Sequence, residues 1–555
     1  MFLIEKLMKD KIVQGTLRTN PRGFGFVVVE DKNIKDIFIP KTQMKNAVDG
    51  DIVEVQIKQI TAKGLDGTIL KIVKRERTHL AGIVYSKHKK KNSYAMYVPI
   101  LGSDWSVILK TDKKLKYGDR VIMEVENWED KTENTICKMT KYLSHISDVG
   151  KDDEAVIAEF NIKEEFAKQA IKEAEKLKIT EEDLKKRKDL THLETITIDP
   201  IGAKDFDDAA AISKDKENNF HLAVHVTDVA HFVKPNSFLD KEAAKRSNST
   251  YFIDKCIPML PEELSSNLCS LKENEVRLTV SVLMTFCPKG KLIKYEIVRS
   301  YIKSRKRFTY EEAKKILDSK KDHKYKKQLE QMVELCNILK KQRFERGSID
   351  FALADSRIIL DKDKNPVDIE IVEYDITHQL IEEFMLKANE TVATHMSRLG
   401  KNIIYRIHEE PSYEDFNDFF QIAISLGFDL PLHPKHEDIQ NLFVQAKDSK
   451  YLHLLSIAFI KNLRLACYSP INIGHFGLAL KHYTHFTSPI RRYTDLITQR
   501  ILFDEEDKNI NLNEIAQICS ENERLSFKAE SSLKTLKKLR FLKRIIKKDP
   551  NKVFK

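Results

Sequence analysis

Apolar residues along this chain keep two rhythms in turn, and the change between them divides it. Through residues 1–145 they alternate with polar ones in short runs such as GTLRT, GFGFVVVE, KDIFIP and GDIVEVQI, separated by turn residues. A period of two sends successive side chains to opposite faces of a strand, so this region predicts small β-barrels. The stretch DGDIVEVQI from Asp49 is echoed by YGDRVIMEV from Tyr117, each a Gly-Asp turn leading into a late strand. That echo predicts two similar barrels, residues 1–72 and 73–145.

Beyond them NIKEEFAKQAIKEAEKLKITEEDLKKRKDL has helical spacing and predicts a charged, solvated connecting helix. Alternation returns at ETITIDP and at HLAVHV, with Leu222, Val224 and Val226 on one face. After Ala313 the helical period dominates, in THQLIEEFMLKANETVATHM, YLHLLSIAFIKNLRLA and IRRYTDLITQRIL, before a long helix from Asn513 to Ile546. No low-complexity linker interrupts residues 146–555, which predict one large α+β domain with a basic C-terminal helix. That helix end, KTLKKLRFLKRIIKKDPNKVFK, is expected to be either a solvated terminus or a phosphate-contacting tail.

Composition narrows the class. With 555 residues, 41% hydrophobic and 32% charged, the chain suits a soluble multidomain protein. No apolar run approaches the ~18 residues of a membrane span. The opening MFLIEKLM lacks a basic leader and a cleavage site, and is expected to begin a domain. Seven scattered cysteines without a CxxC pair point to the cytoplasm, and away from a disulfide framework or structural zinc. A net charge of +11 favours a polyanionic partner, nucleic acid first and a membrane surface second.

In PRGFGFVVVE, strand alternation puts Phe24 and Phe26 on one face and Val27 and Val29 on the other. If the valines fill the barrel, the phenylalanines turn outward beside Phe38. Gly23 and Gly25 then leave room for flat bases, with Arg22 nearby. Such a platform stacks single-stranded bases at ~1–3 kcal/mol each and resembles cold-shock domains, which are OB-folds. The alternative is an ordinary barrel core. The second module offers Tyr94, Tyr97 and Trp105 without the glycine pattern.

DPIGAKDFDD sets Asp199, Asp205, Asp207 and Asp208 within ten residues of a basic chain. Like charges gathered this closely cost free energy unless a cation joins them, and carboxylate oxygens suit Mg²⁺ or Mn²⁺. An EF-hand order is absent; an ordinary polar turn is the alternative. Further on, TSPIRRYTD places Arg491 and Arg492 at a helix start, shaped for phosphate or simply solvated. Metal carboxylates, phosphate-holding arginines and base-stacking barrels converge on metal-assisted phosphodiester hydrolysis. His225, His231 and His475 are expected to pack or hydrogen-bond rather than ligate zinc.

Five ordered segments carry a resemblance: IDPIGAKDFDDAAAI, VHVTDVAHFVKPNSFLDKEAAKRSNSTYF, IPMLPEELSSNLCSL, YRIHEEPS and LALKHYTHFTSPIRRYTD. They are similar to the catalytic domain of the ribonuclease II and ribonuclease R (RNB) family, and the paired barrels to its cold-shock domains. The resemblance implies two OB-type barrels followed by an RNB-type α+β domain. It also implies a processive, hydrolytic 3′-to-5′ exoribonuclease that degrades single-stranded (or structured) RNA to nucleoside 5′-monophosphates, acting as a cytoplasmic monomer. It makes Asp199, Asp205, Asp207 and Asp208 the catalytic acids, with Asp199, Asp207 and Asp208 as ligands of Mg²⁺ (or Mn²⁺). Tyr251 matches the residue that stacks on the terminal base, Phe351 the opposing aromatic, Arg491 the holder of the scissile phosphate and Glu530 a catalytic-site glutamate. The family also carries a helix-turn-helix module before the barrels and an RNA-binding barrel after the catalytic domain. The leading module is expected to be absent and the barrel to be either naturally missing or cut off from this sequence, which predicts a weaker grip on RNA around an intact site. An RNA-binding protein with a degenerate site and a metal-dependent DNA nuclease are the competing readings.

Overall fold

The computed structural model describes residues 10–552 apart from 20–22, 30–35, 62–63, 90–91, 103–104, 129–133, 350–354, 373 and 432. Contacts group the chain into two compact units. One is Met1–Lys163 with Ile359–Asp368 and Ser531–Lys555; the other is Glu164–Ile358 with Ile369–Glu530.

The first unit holds both barrels. Strands β1 (Ile12–Thr19), β2 (Gly25–Val29), β3 (Ile37–Ile39), β4 (Ile52–Thr61) and β5 (Gly64–Lys74) close in the order β1-β2-β3-β5-β4. Leu17, Val27, Ile37, Ile39, Val53, Val55, Ile57 and Ile69 fill the interior. Strands β6 (His79–Lys87), β7 (Ser93–Tyr97), β8 (Val107–Lys110), β9 (Asp119–Asn127) and β10 (Thr135–His145) close a second barrel. The internal repeat has a physical meaning. Asp51 Oδ2 accepts the Val48 N–H at 2.9 Å, and Asp119 Oδ2 accepts the Lys116 N–H at 2.7 Å. Each aspartate follows a glycine at positive φ, Gly50 at 92° and Gly118 at 88°, which is the left-handed backbone that the turn requires.

The basic chain end has internal work. Fully buried Asp152 meets Arg120 Nη2 at 2.9 Å, Arg540 Nε at 2.6 Å and Lys537 Nζ at 3.3 Å. Lys537 also donates to the carbonyls of Val149 and Lys364, both at 2.8 Å. The sequence reading placed this stretch with the catalytic domain. Its contacts place it with the barrels, because a buried aspartate holds Lys537 and Arg540 there.

In the second unit, β11 (Lys188–Asp189), β12 (Ile196–Asp199), β13 (Asp208–Lys214) and β14 (Phe220–Thr227) are followed by a small hairpin, β15 (Thr250–Tyr251) with β16 (Cys256–Ile257). Then come β17 (Val276–Phe286), β18 (Leu292–Lys303) and β19 (Lys306–Thr309). The main sheet runs β11-β18-β17-β14-β13-β12-β19. The helix Ile376–Arg398 buries Leu380, Phe384, Ala388, Val392 and Met396, spaced four apart as one helical stripe requires. Asp375 caps its N-terminus, accepting the Thr377 and His378 N–H groups.

Two expectations change. The single connecting helix is instead two short ones, Lys168–Ala174 and Glu181–Lys185. Thr180 stops and restarts the chain through a capping box with Asp183, and Ala170 and Ala174 are buried in the core rather than solvated. The helix after the arginine pair begins only at Tyr493, and all ten of its residues to Leu502 are buried.

Both of the chain's tryptophans, Trp105 and Trp128, pack in the second barrel at 6.1 Å, so their fluorescence reports the first unit. Asp152→Ala strands three cations and is expected to cost about 3–5 kcal/mol in urea unfolding followed at these residues. A loss below about 1 kcal/mol would mean the network carries little.

Candidate active site

The acidic loop joins two neighbouring antiparallel strands. Asp199 ends β12, Asp208 begins β13, and Ile196 pairs with Ala210 between them. The loop's backbone is clamped from three sides. Arg307, on β19 beside β12, donates Nη2 to the carbonyls of Pro200 (2.7 Å) and Ile201 (3.2 Å). Buried Ser270 donates to the Lys204 carbonyl at 2.8 Å and accepts the Phe206 N–H at 3.1 Å. The Phe206 carbonyl accepts the Leu271 N–H, and the Asp207 carbonyl the Thr227 N–H, both at 2.9 Å.

The opposite wall is the turn Thr487–Arg492. Ile490 N–H donates to Asp207 Oδ1 at 2.8 Å, and Arg491 Nε lies 3.4 Å from Asp207 Oδ2. Arg491 Nη2 also donates to Ser488 Oγ at 2.9 Å, and its side chain is 44% exposed. Arg492 behaves differently: it folds back onto buried Asp495, donating Nη2 at 2.9 Å and Nε at 3.2 Å. That same carboxylate accepts the Ser488 N–H at 2.8 Å. Of the two arginines, Arg491 faces the acids, while Arg492 is held by Asp495 at the pocket wall.

Burial, then the neighbouring Asp208, pushes the Asp199 carboxyl up to about 7. Burial raises Asp208 to about 6 against the pull of Arg491 and Arg492, and lifts Asp207 well above the ordinary carboxylate range. Tyr251 closes one side. Its hydroxyl donates to Asp205 Oδ2 at 2.6 Å and its N–H to Glu530 Oε1 at 2.7 Å, and it stays 37% exposed. Glu530 thus reaches the site by positioning Tyr251. Phe351 lies outside the described residues.

A cavity of about 530 Å³ is lined by the four aspartates, Tyr251, Arg491 and Arg492. It is also lined by Tyr310, His378, Glu382 and Asn389, which the sequence reading missed. No local signal marks them: His378, Glu382 and Asn389 lie on a helix that carries polar residues throughout, and Tyr310 begins another.

In the first barrel Phe26 is 41% exposed while Val27 is wholly buried. Phe26 pairs with Phe38 across the strands, and the rings of Phe24, Phe26 and Phe38 lie 5.5–5.9 Å apart. The aromatic platform is therefore outward; Arg22 lies outside the described residues. In the second barrel Tyr97 is 43% exposed and Tyr94 is buried. The three histidines serve the fold: His225 bonds Ser281 Oγ at 2.6 Å, His231 meets Asp183 at 3.3 Å, and His475 caps a short helix.

The carboxylates fit a hard cation on one direct observation. Asp199 Oδ2 and Asp207 Oδ2 are buried without a hydrogen-bond partner among the described residues, which is costly for acid oxygens unless positive charge meets them. Among the described residues, no three His, Cys, Asp or Glu side chains already converge as a finished ligand set. The fit rests on donor chemistry and charge.

Tandem barrels, one with an aromatic face, and a sheet-edge pocket of crowded carboxylates opposite an arginine define a nucleic-acid hydrolase. Comparison supports this. Residues 187–505 match the RNB domain and 15–71 the Ribonuclease B OB domain. Ribonuclease R of Chlamydia pneumoniae is 40% identical over 557 residues, covering 98% of this chain and 82% of that protein. The structure of Mycoplasma genitalium RNase R in complex with ribose methylated single-stranded RNA matches with a TM-score of 0.85 at 26% identity, covering 96% of this chain and 87% of that one. The chain belongs to the ribonuclease R family, whose RNB-domain members are metal-dependent 3′-to-5′ exoribonucleases. Yeast Ssd1, a pseudonuclease, shares the fold alone, with a TM-score of 0.74 at 17% identity over 96% of this chain and 74% of that one. Fold by itself therefore does not decide activity.

A carboxyl raised by folding holds its proton more tightly folded than unfolded, so its ionisation destabilises the fold as pH rises through about 7. In chelator-treated protein, Asp199→Asn is expected to raise the melting midpoint more at pH 8 than at pH 5. Calorimetry at both pH values checks it, and equal gains would contradict the buried, crowded state of Asp199.

Proposed function

We propose that this protein degrades RNA from its 3′ end by processive hydrolysis, releasing nucleoside 5′-monophosphates, with Mg²⁺ (or Mn²⁺) held by Asp199, Asp207 and Asp208. The observation that carries the reading is the pair of buried carboxylate oxygens of Asp199 and Asp207, neither hydrogen-bonded among the described residues, in one cavity with Arg491. A divalent ion bound there supplies an activated water and neutralises charge on the leaving 3′ oxygen.

The chain's own residues do the rest. Arg491, partly exposed and tethered to Ser488, presents its guanidinium to the scissile phosphate. Asp205 orients the Tyr251 hydroxyl, and Glu530 fixes its backbone, so the ring stands ready to stack on the terminal base. Phe24, Phe26 and Phe38 offer stacking for bases further along the strand, with little sequence preference. Unbridged cysteines suit a cytoplasmic protein, and we take it to act as a monomer. The ribose-methylated single-stranded RNA bound by the Mycoplasma genitalium relative supports single-stranded RNA as substrate.

The test is release of mononucleotides from 3′-labelled single-stranded RNA with Mg²⁺ and with chelator. Asp207→Asn is expected to lower the rate more than about 100-fold. Retained RNA binding without mononucleotides from the unmodified protein would favour a binding protein, and equal cleavage of DNA would defeat the ribonuclease reading. Tyr251→Ala removes about 1–3 kcal/mol of stacking. It is expected to leave a longer final oligonucleotide on a sequencing gel, whereas Tyr251→Phe restores the parent length.

A further inference from the structure

One wall of the catalytic cavity is shared with a second space. Tyr310 and His378 line it, stacked with ring centroids 3.9 Å apart at 17°. The same two residues also line a second cavity, of about 680 Å³. The stack therefore partitions two spaces. His378 is tethered through Nδ1 to Asp375 Oδ1 at 3.0 Å, and Tyr374 packs on its other side at 5.5 Å.

The second cavity reaches the surface: Ile371 on its lining is 74% exposed and Lys315 is exposed. Its acids have partners of their own. Asp318 pairs with Lys314, Glu370 with Arg357 at 2.8 Å, and Asp375 caps its helix. Glu311 sits on its own helix start. Lys315 has no acidic partner among the described residues. The space falls within the ~300–1,000 Å³ of small-molecule sites, and of its three cations Lys314 and Arg357 are paired to its acids while Lys315 is the one that remains for a phosphate.

Resting on the exoribonuclease reading, we propose that the nucleoside 5′-monophosphate product leaves through this second cavity, past the Tyr310–His378 stack. During a processive run the uncut strand fills the mouth of the catalytic cavity. A product released between the strand end and the Tyr310–His378 wall can pass the strand only if the strand withdraws, which ends the run. Rotation of the two rings opens a route that leaves the strand in place, and Lys315 attracts the outgoing phosphate.

The experiment follows a short 5′-labelled RNA by rapid quench, so that the first cleavage is timed apart from those that follow. Ile371→Trp and Ser319→Trp narrow the second cavity, and Lys315→Glu reverses its free charge. All three lie outside the catalytic cavity. The first cleavage is expected to stay within about twofold of the parent while each later one slows about fivefold or more, as product release becomes limiting. Lys315→Arg restores the later steps, and added nucleoside monophosphate slows them in the parent. Later cleavages at the parent rate in both tryptophan variants and in Lys315→Glu overturn the route, as does equal slowing of every step. Absence of any first cleavage from the unmodified protein defeats the exoribonuclease reading itself.

Discussion

Four carboxylates share one pocket because the backbone beneath them is not free to carry them apart. Arg307 fixes the carbonyls of Pro200 and Ile201, Ser270 ties Lys204 to Phe206, and the N–H groups of Leu271 and Thr227 take the carbonyls of Phe206 and Asp207. With its backbone tied at these points, the loop tolerates side chains that repel one another. Their oxygens are left with raised proton affinity and, at Asp199 and Asp207, without a hydrogen bond. This tension is the chemical resource of the site: the crowded acids either keep protons or take a cation in their place.

The opposing wall divides one motif between two tasks. Asp495 neutralises Arg492 and anchors Ser488, which leaves Arg491 and the Ile490 N–H aimed at Asp207. A guanidinium spent on a buried acid and its neighbour turned toward the acidic loop are indistinguishable as letters. A similar economy holds in the first unit, where Lys537 and Arg540 of a strongly basic tail are committed to Asp152 and so withdrawn from any polyanion.

The fold class, the barrel pair and the acidic loop were legible because their signals are local. Alternation at Val27 and Val29 fixes which face Phe24 and Phe26 take, and the repeated Gly-Asp turns mark both barrels. Asp199 to Asp208 are neighbours in sequence before they are neighbours in space. Tyr310, His378, Glu382 and Asn389 escaped notice because each sits in a segment whose pattern is ordinary helix. Only packing against the sheet turns that helical face into a wall of the cavity.

By itself, then, the sequence determined the alternation, the turns and the crowding of acid, since each depends on residues within a few positions of one another. Tertiary structure decided which arginine faces the acids, that Glu530 reaches Tyr251 from 279 positions away, and that a stacked Tyr–His pair lines two cavities. Such contacts are settled by burial and by competition among distant partners, which no local pattern records.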